Sequence, residues 1–169
     1  MIREAKYYDG ESIQNLIRIF SETGKVLFRS LGEIRRNIPE FRVYEQNNQI
    51  VAVCSVKIGW GRLAELRTLV VDPRYSGQGI GTKMVEASIE TALSTDCDTL
   101  FALTYAVSMF KRLGFIDVDK ETLPYKVWND CKACLHRENC DETAMILSLV
   151  SLRNKPFIQM LPSTNVSTE

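Results

Sequence analysis

The sequence lacks an excess of charge of either sign: 21 Lys and Arg residues balance 21 Asp and Glu residues over 169 residues. Proteins that bind nucleic acids or anionic membranes normally carry a basic excess, so we expect neither partner. Long apolar runs are also missing. The longest, residues 144–152, has nine residues, whereas a membrane-spanning helix needs about 20.

The N-terminus lacks the basic start and apolar centre of a secretory signal peptide. We therefore expect a cytoplasmic protein whose five cysteines are reduced. Hydrophobic residues make up 45% of the chain, which is enough to build a core. The length favours one domain, which we place at residues 1–150, followed by a C-terminal tail over residues 151–169.

Strand-like and helix-like segments are interspersed along the chain. Apolar residues at helical spacing predict helices over residues 12–20 and 79–94, and "SLGE" at 30–33 predicts the start of another. A further short helix over 108–113 is closed by Gly114. β-like runs cover residues 2–8, 41–45, 50–59, 63–71, 99–105, 115–118 and 144–149. The pattern predicts an α+β (α/β mixed sheet) fold, with helices covering a sheet.

Three glycines at alternate positions, Gly77, Gly79 and Gly81, separate a β-like run from a helix-like run. Glycines let the backbone approach a ligand closely, and the first amides of a helix bind anions. The spacing G-x-G-x-G differs from the G-x-G-x-x-G of dinucleotide folds and from the P-loop string. The loop therefore indicates either a pyrophosphate site or a β-to-α turn that binds nothing.

The stretch "VVDPRYSGQGIGTKMVE" around these glycines resembles motif A of the GNAT acyl-CoA N-acetyltransferases, and "MFKRLGF" at residues 109–115 resembles their later helix-to-strand signature. This resemblance implies a splayed, mostly antiparallel central sheet flanked by helices, with acetyl-CoA between the fourth and fifth strands. Ser76 stands where the family usually has Arg or Gln. The implied acetyl-CoA contacts are Leu69, Val70, Val71, Ser76, Gly77, Gln78, Gly79, Ile80, Gly81, Thr82 and Phe110.

Glu65 lies six residues before Val71, which is roughly 20 Å along an extended strand. Strict alternation would place Glu65, Arg67, Leu69 and Val71 on one face of that strand. An amine must be neutral to attack a thioester, and GNAT enzymes commonly place a glutamate at this strand position. The resemblance therefore implies that Glu65 is the general base, directly or through water. A structural pair with Arg67 or Arg62 is the alternative.

The general acid is less well defined by the sequence. Many GNAT enzymes have a tyrosine five residues before the phenylalanine of "GF", but this chain has Phe110 there. The hydroxyl groups of Tyr105 and Ser108 are the nearby candidates, and a water molecule is the alternative proton donor.

The stretches "GKVLFRSLGEI", "LFALTYAVSMFKRLGF" and "DKETLPYKVWNDCKACLHRENCDETAM" resemble the short stand-alone amino-acid N-acetyltransferases of bacterial arginine biosynthesis. The resemblance covers roughly residues 1–150 and implies L-glutamate as the acceptor. Its two carboxylates would be bound by cationic side chains, for which Arg29, Arg67 and Lys126 are candidates. Solvated surface charges are the alternative. The longer synthases have an arginine just after the "LT" of the fifth strand, where this chain has Tyr105.

Residues 119–143 form a polar insert that contains three cysteines, and we expect it to cap the acceptor site. Cys131, Cys134, Cys140 and His136 are a chemically valid zinc shell. Their compact spacing is unlike that of paired zinc knuckles, and we expect no metal. Buried or free thiols, or a redox-sensitive C-x-x-C pair, are the alternatives.

Two alternatives to a glutamate acetyltransferase stay open at this point. The acceptor could be another amine, such as a polyamine, an antibiotic or a protein N-terminus. The chain could also be a non-catalytic CoA-binding regulatory module, which Ser76 and Phe110 favour and Glu65 opposes. The family commonly forms dimers, so the resemblance also offers a homodimer as the assembly.

Overall fold

The computed structural model describes residues 1–59, 61–124 and 140–154. Within them, seven strands form one sheet in the order β1-β2-β3-β4-β5-β7-β6. The strands are β1 Ile2–Glu4, β2 Phe41–Gln46, β3 Gln49–Ile58, β4 Leu63–Val71, β5 Thr99–Thr104, β6 Ile116–Val118 and β7 Thr143–Ser148. The helices are α1 Gly10–Ser21, α2 Leu31–Arg36, α3 Ile80–Leu93, α4 Val107–Arg112 and α5 Leu149–Arg153. The predicted α+β mixed sheet is confirmed.

Local sequence signals explain several of these elements. Ser30 caps α2, because its hydroxyl oxygen accepts a hydrogen bond from the Glu33 amide at 3.2 Å. Asn47 and Asn48 both take positive φ, 51° and 57°, which suits the two-residue turn that joins β2 to β3. Gly114 ends α4 with a φ of 90°. The turn between β2 and β3 and these helix ends are therefore encoded locally.

The sheet splits between β4 and β5. All other neighbouring strands are antiparallel, whereas β4 and β5 are parallel and pair only from Leu63 with Thr99 to Glu65 with Phe101. β4 continues to Val71 without β5 beside it. The predicted splayed, mostly antiparallel sheet is confirmed, and Glu65 is the last residue of β4 before the strands separate.

β4 contains a β-bulge that its sequence does not predict. The ladder between β3 and β4 shifts between Val53 and Ser55 of β3. Opposite this shift, Thr68 has a φ of 58°, in the left-handed region. A β-branched residue rarely adopts that conformation, so the surrounding structure must impose it. The bulge adds one residue to β4 and reverses the alternation of its side chains.

The prediction that Glu65, Arg67, Leu69 and Val71 share one face is therefore wrong. Before the bulge, Arg67 points to the α1 and α2 side of the sheet, where it contacts Glu40. Beyond the bulge, Leu69 and Val71 pack on the opposite side, against residues of α3. Glu65 lies two residues before Arg67 and so shares its face.

The two faces of the sheet bury separate apolar clusters. One lies under α1 and α2 and contains Ile13, Leu16, Ile17, Ile34, Phe41, Val43, Val53 and Val70. The other lies under α3 and α4 and includes Leu66, Val85, Leu100, Ala102, Phe110, Phe115 and Met145. In the described part of the chain, no helix is long and apolar enough to cross a membrane.

α5 extends into the region that the sequence assigns to a tail. Ser148 begins it by accepting a hydrogen bond from the Ser151 amide at 3.2 Å. The Arg153 guanidinium donates to the carbonyls of Cys97, Leu93 and Thr95 at 2.8, 3.3 and 2.6 Å. These carbonyls lie at and just beyond the end of α3, so α5 caps that helix.

Candidate active site

A cleft of about 300 Å³ opens where β4 and β5 separate. This volume is at the low end of the range for small-molecule sites. The cleft is lined by residues 65–69 of β4, residues 103–106 at the end of β5, and residues 24–27 and Arg29 of the loop before α2. Phe20, Phe110, Cys140 and Glu142 complete it.

Several of the predicted site residues meet in this cleft. Glu65, Arg29, Arg67 and Tyr105 all line it, although up to 76 positions separate them in the sequence. Ser108 is exposed on α4 and is not among the lining residues. Lys126 lies outside the described residues.

The cationic side of the cleft consists of Lys25, Arg29 and Arg67. Arg29 is buried and donates a hydrogen bond to the carboxylate of Glu33, one turn into α2. Arg67 donates to the carboxylate of Glu40 at 3.1 Å. Both guanidinium groups are therefore held in place before any ligand binds, and a planar fork of five N–H donors can also serve a ligand carboxylate.

Glu65 sits at the closed end of the cleft, because it is the last residue of β4 that pairs with β5. Its neighbour across the sheet on the other side is Lys57 of β3. The Glu65 carboxylate lines the same cleft as Arg29 and Arg67. It is chemically suited to accept a proton from a bound amine.

Tyr105 joins the end of β5 to the segment before β7. Its hydroxyl donates to the Asp141 carboxylate at 2.8 Å. Burial raises the pKa of the Tyr105 hydroxyl, and the hydrogen bond to Asp141 and the charge of Glu142 raise it further. A phenol is protonated at neutral pH even at its ordinary pKa of about 10, and Tyr105 directs its proton at Asp141.

The glycine loop precedes α3 at the other end of β4. Gly77 and Gly79 take φ values of 76° and 74°, and a Cβ atom at either would meet nothing within 4 Å. The amide of Lys83 bonds to the Gly79 carbonyl at 3.1 Å and closes the first turn of the helix. The amides before it have no carbonyl to bond within α3, and amides at the positive end of a helix are suited to binding an anion.

The other residues implied for acetyl-CoA fall into two groups. Ser76, Gly77, Gln78 and Gly79 are exposed, and Gly81 and Thr82 are half-buried on the first turn of α3. Val70, Ile80 and Phe110 are buried in the apolar clusters. Phe110 packs edge-on against Phe115, with ring centroids 5.0 Å apart, and reaches the cleft from its core side.

The cysteine insert is described only at its two ends. The Lys120 ammonium donates to the Cys140 carbonyl at 2.7 Å, which holds the ends together beside the cleft. Cys131, Cys134 and His136 lie outside the described residues. Across residues 1–59, 61–124 and 140–154, no three His, Cys, Asp or Glu side chains form a group that could hold a metal ion.

The sequence does not single out several of the lining residues, among them a lysine, a threonine and a glutamate. Lys25 follows a helix-breaking Gly24, Thr68 carries the bulge, and Glu142 directly precedes β7. Of these, only Lys25 has a local signal, because a cation next to a glycine on a loop near Arg29 suits an anionic ligand. Thr68 and Glu142 are placed by long-range strand pairing.

Comparison with known proteins agrees with this geometry. Residues 11–115 match the Acetyltransferase (GNAT) family, which is more than half of the chain. The chain therefore belongs to the GNAT acetyltransferase family and is an N-acetyltransferase. An uncharacterized N-acetyltransferase of Chlorobaculum tepidum is 32% identical over 148 residues, which cover 88% of this chain and 96% of the relative.

Other relatives are named amino-acid acetyltransferase. The Mycobacterium tuberculosis protein is 27% identical over 77% of this chain and 76% of its own length. Proteins of the same name from Pseudomonas aeruginosa are 32% identical over 73% of this chain, which spans only 29% of their length. The chain is thus related to amino-acid acetyltransferases of two different lengths.

Solved structures share the fold. An N-acetylglutamate synthase from Neisseria gonorrhoeae, complexed with coenzyme A and N-acetyl-glutamate, superposes with a TM-score of 0.78 at 25% identity. The match covers 88% of this chain and 35% of that chain. A Mycobacterium tuberculosis protein in complex with CoA has a TM-score of 0.76 at 23% identity, covering 88% of this chain and 98% of that one.

Proposed function

We propose that this chain transfers the acetyl group of acetyl-CoA to the α-amino group of L-glutamate within a ternary complex. The observation that carries the proposal is the shared cleft of Glu65, Arg29 and Arg67 at the split between β4 and β5. Relatives named amino-acid acetyltransferase support an amino acid as acceptor. The Neisseria synthase, complexed with N-acetyl-glutamate, supports glutamate in particular.

Acetyl-CoA occupies the split in this proposal. The backbone amides at residues 77–82 hold its pyrophosphate at the start of α3, because they lie at the positive end of the helix. The pantetheine arm runs along β4 beyond its last pair with β5, where the strand has no β5 neighbour. The thioester then lies close to Glu65, at the closed end of the split.

The acceptor enters from the side of the α1–α2 loop. Arg29 and Arg67 bind its two carboxylates through charge-assisted hydrogen bonds, since both face the cleft with their side chains already oriented. Lys126 is a third candidate and stays a prediction. This arrangement directs the amino group toward Glu65.

Glu65 accepts a proton from the acceptor's ammonium group, directly or through one water molecule. The nitrogen lone pair then attacks the thioester carbonyl carbon, a C–N bond forms, the C–S bond breaks, and the nitrogen releases its second proton to water. The coenzyme A thiolate takes a proton from water, because the Tyr105 proton is directed at Asp141 and Ser108 lies outside the cleft lining. Tyr105→Phe would therefore leave the chemical step intact.

Thiol release from acetyl-CoA, measured with each common amino acid, tests the acceptor. We expect the highest kcat/KM with glutamate. Glu65→Gln is expected to lower kcat roughly 100-fold or more, since general-base catalysis contributes at least this factor. Its affinity for acetyl-CoA should be unchanged. Glu90→Gln, which alters an exposed glutamate on α3, is the matched control.

The possible results separate the components of the proposal. Full activity of Glu65→Gln would reject the base assignment. A strong preference for another amine would reject glutamate and keep the acetyltransferase. Acetyl-CoA binding without turnover on any amine would favour a regulatory module instead.

A further inference from the structure

The cleft is lined by side chains of both charges, which come from different elements of the fold. Lys25, Arg29 and Arg67 come from the α1–α2 loop and β4. Glu65 of β4 and Glu142, which immediately precedes β7, are the carboxylates among the lining residues that the structure describes. Free amino acids are zwitterions, and a cleft with both signs of charge suits them better than a uniformly basic one would.

Strand register places Glu142 on the acceptor face of the sheet. The ladder between β5 and β7 ends with Thr104 opposite Thr143, so the next residues in register are Tyr105 and Glu142. Glu65 pairs with Phe101 of β5, and Phe101 and Tyr105 are separated by an even number of positions. Because side chains alternate along strands, Glu65, Tyr105 and Glu142 project from the same face.

Two further observations place the Glu142 carboxylate close to the cleft interior. Its charge contributes to the raised pKa of the Tyr105 hydroxyl, so the two groups are near each other. The Sγ atom of Cys140, which also lines the cleft, lies 4.0 Å from a Glu142 carboxylate oxygen. Glu142 is half-buried, so an ammonium group that meets it exchanges part of its water shell for the carboxylate.

We propose that Glu142 binds the ammonium group of the incoming amino acid. This inference rests on the proposed function, because it assigns a ligand contact within the same acceptor site. Glu142 orients the protonated acceptor while Arg29 and Arg67 hold its carboxylates. Glu65, at the closed end, then removes the proton, so the two glutamates act in sequence.

The test compares glutamate with glutarate, which has the same two carboxylates and no ammonium group. Glu142→Gln should raise the KM for glutamate about tenfold, which corresponds to about 1.4 kcal/mol. The inhibition constant of glutarate should stay the same or fall, because a repulsive carboxylate has been removed. Arg67→Ala should weaken both ligands, and Glu86→Gln, on the exposed face of α3, should affect neither.

Glu142→Asp keeps the charge and is expected to recover part of the glutamate affinity. Equal weakening of glutamate and glutarate in Glu142→Gln would indicate a structural role and overturn the inference, as would an unchanged glutamate KM. If the wild-type enzyme acetylates another amine, only the glutamate assignment fails. The comparison is then made with that amine and its analogue without the ammonium group, and equal effects overturn the role of Glu142.

Discussion

Replacing Arg67 by alanine is expected to separate acceptor binding from acetyl-CoA binding. The Arg67 side chain is 11% exposed, and its guanidinium lies 3.1 Å from the Glu40 carboxylate on the acceptor face of the sheet. The glycine loop, to which we assign the pyrophosphate of acetyl-CoA, begins beyond the far end of β4, after the bulge at Thr68. The substitution therefore removes a cation from the proposed acceptor side and leaves the glycine loop unaltered.

The size of the effect follows from the type of contact. Hydrogen bonds to charged groups contribute about 1.5–3 kcal/mol, so kcat/KM for glutamate should fall roughly 10- to 150-fold. The substitution also removes the ion pair with Glu40. Because the Arg67 and Glu40 side chains are only 11% and 26% exposed, loss of this partner for the carboxylate should also cost the fold about 1–3 kcal/mol.

Steady-state kinetics with each substrate varied in turn measure the effect. The KM for acetyl-CoA is expected to stay within about twofold of wild type. This is roughly the change in free energy that sites without direct contact exert on one another. Arg62→Ala is the matched control, because Arg62 pairs with Asp98 at 2.7 Å away from the cleft. Unchanged kcat/KM for glutamate, or an equal loss of acetyl-CoA affinity, would refute the assignment of Arg67 to the acceptor.

Two further substitutions test the loop and the C-terminal helix. Gly79→Ala and Gly61→Ala place a Cβ atom at φ values of 74° and 67° with open space around it, so each should cost about 1–2 kcal/mol of strain. Only Gly79→Ala should raise the KM for acetyl-CoA, and a similar rise in both variants would contradict the loop assignment. Arg153→Ala removes three hydrogen bonds to carbonyls at the end of α3. It should lower the free energy of unfolding by about 1 kcal/mol and Tm by about 2–4 °C, and an unchanged Tm would show that the cap contributes nothing.

The sequence predicts those parts of the fold that depend on short-range signals. The predicted bounds of β4, residues 63–71, agree with the structure, because Pro73 follows the strand and cannot donate a hydrogen bond to a ladder. The start of α2 follows from the Ser30 cap. The glycine loop is recognisable because glycine is the residue that adopts positive φ without a steric penalty. The predicted β1 was too long, since residues 7–9 form a 3-10 turn instead.

The arrangement of the acceptor side could not be predicted in the same way. Tyr105 and Asp141 are 36 residues apart in the sequence, and strand pairing brings them together. Glu142 lies in a segment with no periodic pattern, so its position depends on the register between β5 and β7. α5 was missed because a five-residue helix gives too short a periodic signal.

The bulge at Thr68 could not be predicted because the conformational preference of threonine opposes it. The bulge explains how β4 can line the cleft with some side chains and pack against α3 with others. Intrinsic preference opposes a φ of 58° at a β-branched residue, and such strain is of order 1–3 kcal/mol. With regular alternation, the side chains beyond Arg67 that pack on α3 would face the acceptor cleft instead. The bulge lets Glu65 and Arg67 face the cleft while Leu69 and Val71 stay in the α3 core. The local strain is thus offset by burial of two apolar side chains that support the start of the glycine loop.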